Sequence, residues 1–141
     1  MFFKPLLYPL LAQILLTGLV WIYMYATRLR YIAAQDIDPQ DLAVRSRAEP
    51  LLSSVSAPSD NLRNLFEMPV LFYTAILLAL LMFIQMPLLI AMAWSYVLLR
   101  AIHSLVHITY NRVVHRFAAY FASCIVLWGM WVMIALEVIQ R

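Results

Sequence analysis

The chain has 141 residues, 65% of them hydrophobic and only 12% charged, with a mean hydropathy of +0.85 and a formal net charge of +3. A soluble domain carries roughly 25% charged residues, so an ordinary water-soluble globule is excluded, and no basic, aromatic-interleaved surface for nucleic acid is present. The single cysteine, Cys124, rules out an intrachain disulfide and a thiolate metal site.

Residues 5–28 form the first expected membrane span. Its apolar run is longer than the ~7–15-residue core of a secretory signal and ends in "TRLR" instead of a small-residue cleavage site, so an uncleaved helix is expected. A polar loop follows over residues 30–60. It holds five of the seven acids (Asp36, Asp38, Asp41, Glu49 and Asp60), has room for a short helix near 39–47, and ends with Asp60 or Asn61 placed to cap the next helix.

The second span is expected over 62–84. Pro69 lies in its first turns, where neighbouring helices can satisfy a freed carbonyl. The link "IQMP", residues 84–87, is so short that the second and third helices must be antiparallel neighbours. The third span covers 87–110, and a tight link through 111–116 leads to the fourth span, 116–138. Each run reaches or approaches the ~20 residues that cross a ~30 Å hydrocarbon core, and none alternates as a barrel strand would. The fold class is therefore an all-α integral membrane four-helix bundle with up-down topology. Two glycines are too few for GxxxG pairing to hold it together.

Arginine placement sets the expected orientation. Arg28, Arg30, Arg45, Arg47 and Arg63 flank the first connection and Arg112 and Arg116 the third, against Lys4 and Arg141 on the other side. By the positive-inside rule the first and third connections face the cytoplasm and both termini face away. The expected location is a bacterial inner membrane.

The third span carries Tyr96, Arg100, His103, His107 and Asn111, spaced 4, 3, 4 and 4. At ~100° per residue these fall in a stripe about 80° wide. An arginine this deep costs at least ~2.5–3.5 kcal/mol if it faces lipid, so Arg100 should face the bundle interior and find an anion. Glu67, on one face of the second helix with Asn64, is the expected ion-pair partner. One carboxylate cannot neutralise Arg100, Arg116 and Arg28 together, so the site should stay electropositive. Taken singly, Arg28 and Arg116 also read as topology-setting, snorkelling arginines. His103 and His107 have the i, i+4 spacing of zinc ligands, but no cysteine or HExxH motif accompanies them, and no metal is expected. His115 should be solvated.

"NLFEMPVLF", residues 64–72, resembles the Asn-x-x-Glu signature of the MAPEG family, membrane-associated proteins in eicosanoid and glutathione metabolism. Family members such as microsomal glutathione transferase show an Arg, a His three later, a Tyr seven later and an Arg sixteen later. Here those positions read Arg100, His103, His107 and Arg116, and Arg28 in "TRLR" resembles the family arginine that ends the first helix. The resemblance covers essentially the whole chain. It implies a homotrimer that binds glutathione as co-substrate between subunits near the cytoplasmic face. Arg28, Asn64, Glu67, Arg100 and His103 would hold the tripeptide, and Arg116 would sit by the sulfur and stabilise its thiolate for attack on a lipophilic electrophile or lipid hydroperoxide. Two positions depart from the family pattern. Asp60 stands where a family arginine precedes the asparagine, and His107 replaces the family tyrosine, with Tyr110 one turn further on. These departures keep a second reading open, a catalytically silent MAPEG-like trimer that binds another anion, a lipid or a partner. A small four-span transporter is disfavoured because the first span holds no carboxylate.

Overall fold

A computed structural model describes residues 4–140. Arg141 and the side chain of Lys4, both used in the orientation argument, lie outside the described residues. Four helical stretches are long and apolar enough to cross a membrane: Pro5–Ala34, Ala57–Leu81, Pro87–Ile108 and Val113–Ile139. All six α-helices, and no strand, occur among the described residues. Four long apolar helical stretches occur where the four spans were expected, with shifted ends.

Helix α1 runs Lys4–Ala34, about 46 Å at ~1.5 Å per residue, so its last turns extend past a ~30 Å core. It stops at Asp36, which takes the left-handed conformation (φ 51°) while the Ile37 N–H reaches back to the Ile32 carbonyl at 3.2 Å. This is the Schellman ending, with aspartate in the place that glycine usually takes. The polar loop then folds into a 3-10 turn at Pro39–Leu42, a short helix α2 at Arg45–Leu51 and a second 3-10 turn at Ser53–Val55. The short helix thus lies further along than the expected 39–47.

The second span is the main correction. It begins at Ala57, with Ser56 as N-cap and Pro58 in the first turn, so Asp60 and Asn61 sit inside a helix and cap nothing. It is also two helices: α3, Ala57–Leu65, and α4, Met68–Leu81, separated at Phe66 and Glu67. Pro69 explains the break. It has no N–H to return to the Leu65 carbonyl, and its ring collides with that carbonyl, so the helix ends at Leu65 and restarts beyond. Helices α5, Pro87–Ile108, and α6, Val113–Ile139, complete the chain.

The core lies where α1, α4, α5 and α6 meet. Leu6, Phe72, Ile76, Leu89, Tyr96 and Leu127 are all fully buried there, and Phe72 stacks on Tyr96 with ring centroids 4.5 Å apart. Helices α5 and α6 form the closest pair. At Gly129 they approach so nearly that a β-carbon would lie 2.6 Å from the Met92 Cε atom, which demands glycine or a displaced Met92. The outward side of α6 carries Phe117, Phe121, Ile125, Trp128, Val132 and Leu136, an apolar ridge suited to lipid or to another protein surface.

Helix α3 docks on α5 through one buried polar contact. The Ser104 hydroxyl donates to Asn61 Oδ1 at 3.2 Å, both residues being essentially inaccessible. Removing one partner of a buried hydrogen bond costs about 1–3 kcal/mol, whereas removing both is nearly neutral. Ser104→Ala should therefore lower the thermal midpoint in detergent, and the double variant Asn61→Leu/Ser104→Ala should recover most of that loss.

Candidate functional site

The break between α3 and α4 creates the first element of the site. In an unbroken helix the Asn64 carbonyl would accept the Met68 N–H, but that donor lies across the break. Arg100 takes its place: its Nη2 donates to the Asn64 carbonyl oxygen at 2.6 Å. A cation at a helix C-terminus meets the negative end of the macrodipole, worth up to ~2 kcal/mol in partly buried geometry. Arg100 is 0% exposed, and its guanidinium carbon sits 5.3 Å from the centre of the Tyr120 ring. The interior placement expected for Arg100 is correct. Its expected partner is not, because no ion pair joins it to Glu67, which is exposed at the start of α4. The proline break turned Glu67 out of the helix register and freed a main-chain acceptor instead. Two guanidinium nitrogens, Nε and Nη1, are buried with no partner within the protomer.

One turn further along α5, the two histidines take different tasks. His103 Nδ1 lies 3.0 Å from the Arg116 carbonyl oxygen. His107 Nε2 lies 3.0 Å from Arg116 Nη1, which also donates to Asn111 Oδ1 at 2.8 Å. The rings meet edge to face with centroids 5.5 Å apart. Arg116, from the first turn of α6, is thus held by two neutral acceptors and forms no ion pair with a carboxylate. Its charge remains available.

A cavity of about 180 Å³ opens between these helices, lined by Asn64, His103, Val113, Arg116, Phe117 and Tyr120. Three of the expected site residues therefore converge from α3, α5 and α6. Small-molecule sites usually offer ~300–1,000 Å³, so this cavity is smaller than such sites usually are. Larger apolar grooves flank α1, but they contain almost no polar lining and lie away from this cluster.

Other expected members stand apart. Arg28 lines a separate cavity of about 170 Å³ with Arg45, Glu49, Ser59, Asp60 and Arg63. Arg28 belongs to the layer where the second 3-10 turn and α3 pack on α1, with α2 alongside. Tyr110 is exposed, and its hydroxyl lies 3.0 Å from Nδ1 of the equally exposed His115. Helix α5 ends at Ile108 and Thr109 leaves helical geometry (φ −104°, ψ −100°), so helical spacing does not carry Tyr110 onto the stripe.

Tyr120 and the two main-chain carbonyls were not foreseen, and Asn111 was placed on the stripe without a role. Tyr120 was within reach of sequence reasoning, since it lies four residues after Arg116 and so on the same helical face. The carbonyls were not, because main-chain acceptors leave no trace in side-chain spacing.

Four long apolar helices around a buried polar cluster define an integral membrane protein with its polar site inside the bundle. The MAPEG family pattern matches residues 6–136, nearly the whole chain, and the protein belongs to the MAPEG family. Neither curated proteins nor solved structures provided a match to the chain.

The face of Tyr120 covers the Arg100 guanidinium, a contact worth about 0.5–2 kcal/mol. Tyr120→Phe retains the ring and should leave the thermal midpoint nearly unchanged. Tyr120→Leu should lower it by several degrees in the same melting experiment.

Proposed function

We propose that this protein is a membrane-bound, glutathione-dependent transferase or peroxidase. It works as a homotrimer, with its site near the cytoplasmic face and both termini on the opposite side. The observation that carries this reading is the convergence of Asn64, His103 and Arg116 on one cavity, with Arg116 held only by neutral groups. Glutathione is a compact anion with two carboxylates, one ammonium and one thiol. A guanidinium oriented by His107 and Asn111, with no carboxylate to quench it, is suited to steady a thiolate. Membership in a family of glutathione and eicosanoid metabolism supports the same substrate class. The thiolate attacks a lipophilic electrophile, or the oxygen of a lipid hydroperoxide, delivered from the bilayer.

The small cavity supports binding between subunits. Arg28 and Glu67 lie outside the cavity of their own protomer and are the residues expected to complete it from a neighbouring one, Glu67 receiving the ammonium. Arg100 contributes by holding the Asn64 segment and presenting its two unpartnered nitrogens.

Asp60 favours a second reading. It stands with Glu49 in the cavity that holds Arg28, where the family resemblance implies a cationic carboxylate contact. On that reading the protein is a silent family member that binds another anion, a lipid or a partner.

Purified protein with glutathione and an aryl halide or lipid hydroperoxide separates the two. Turnover is expected, and Arg116→Ala should lower kcat/KM by about 10²–10³, the effect of removing one stabiliser of a developing anion. Asn111→Gly keeps the left-handed backbone at φ 47° while deleting one acceptor of Arg116, and should cost about tenfold. No glutathione binding by the wild type would leave only the second reading.

A further inference from the structure

A guanidinium can stabilise a thiolate, but it does not accept a proton near neutral pH. The thiol proton must therefore pass either to solvent or to a second group. The hydrogen bonds around Arg116 point to which one. A carbonyl oxygen only accepts, so His103 Nδ1, 3.0 Å from the Arg116 carbonyl, carries the ring's proton. Its Nε2 is then a bare lone pair, buried and without a partner. His107 has the opposite arrangement. Arginine only donates, so His107 Nε2 is occupied as acceptor and its proton sits on Nδ1. Of the two rings, only His103 lines the cavity, and only His103 has a free acceptor nitrogen.

Resting on the glutathione reading above, we propose that His103 is the general base of this enzyme, taking the thiol proton of glutathione on Nε2. The S–H bond breaks, its electron pair stays on sulfur, and a new N–H bond forms on the imidazole. The resulting thiolate is paired with Arg116. With an aryl halide, the sulfur bonds to the ring carbon, halide departs with its bonding pair, and the imidazolium releases its proton to solvent. The Arg116 carbonyl fixes the ring and stabilises the cation that forms, because a carbonyl accepts more strongly from a charged N–H. The charged and titratable groups around His103 do not duplicate this role. Arg100 and Arg116 are guanidinium groups, His107 has its acceptor taken, Tyr120 presents its ring at 5.7 Å, and Glu67 is exposed at the helix break.

His103→Asn is the informative variant, because an asparagine amide can still donate to the Arg116 carbonyl while Nε2 is lost. Glutathione affinity by calorimetry should fall by far less than kcat, since one cavity-lining contact is altered and the others remain. The ultraviolet thiolate signal and kcat with an aryl halide should fall about 100-fold at neutral pH. That deficit should narrow as pH rises and hydroxide takes over. A thiolate signal and kcat equal to wild type at every pH would overturn the proposal, as would lost affinity with unchanged kcat. If the variant does not fold, the wild type decides the matter. Calorimetry in buffers of different ionisation heat should find nearly no proton released per thiolate formed, whereas one proton per thiolate would rule out retention on His103. Absence of any glutathione binding by the wild type would instead remove the functional reading underneath.

Discussion

The guanidinium of Arg100 sits fully inside a protein built for lipid, and it is held there by a main-chain carbonyl instead of an acid. That contact depends on a defect elsewhere. Pro69 interrupts the second span, the interruption orphans the Asn64 carbonyl, and the arginine from α5 satisfies it. Two otherwise unfavourable features thus offset each other: an open helix end in an apolar setting, and a cation far from water. The exchange ties α3 to α5 at one point, and Ser104 with Asn61 ties them at another. Together they fix where Asn64 stands relative to His103.

The same economy of charge continues at the mouth of the bundle. A carboxylate beside Arg116 would orient it more strongly than any neutral group, but it would also cancel the field of the guanidinium. His107 and Asn111 orient without cancelling. Asn111 reaches Arg116 from a left-handed backbone position, which asparagine tolerates better than most residues. The division of labour between the histidines follows from one residue, since Arg116 offers its carbonyl to one ring and its guanidinium to the other.

How much of this was legible beforehand depended on what kind of signal carried it. The four spans are written in hydropathy, which a bilayer enforces over some twenty residues at a time, and their existence was plain. The stripe Tyr96, Arg100, His103 and His107 is written in the 3.6-residue period, and all four residues are buried. Errors cluster where regular geometry stops. Glu67 missed Arg100 because Pro69 breaks the helix between the two faces that spacing had aligned. Asn111 left the stripe because α5 ends three residues before it, and Tyr110 lies beyond the same helix end. Arg28 lines a different cavity of its own chain, a placement set by the length of α1 and the packing of the polar loop instead of by helical period.

Buried polar atoms without a partner occur elsewhere in the bundle, as at Gln13, but several of them gather beside the cavity. Arg100 keeps two buried donors with no acceptor, and Arg116 keeps a full charge with no counter-ion. His103 keeps a lone pair with no donor. A buried group normally finds a partner, since leaving one unsatisfied costs ~1–3 kcal/mol. Here Arg100 and His103 keep unpartnered buried nitrogens, and the hydrogen-bonded Arg116 has no counter-ion among the described residues, all in one cluster between α3, α5 and α6. A ligand bringing negative charge to the guanidinium groups and a dissociable proton to the imidazole would satisfy both kinds of vacancy at once. A thiol-bearing peptide anion of the kind proposed above has both properties, whereas an acyl chain has neither. This pairing of unmet needs calls for an anion that also carries a proton, and a neutral or purely apolar ligand meets neither.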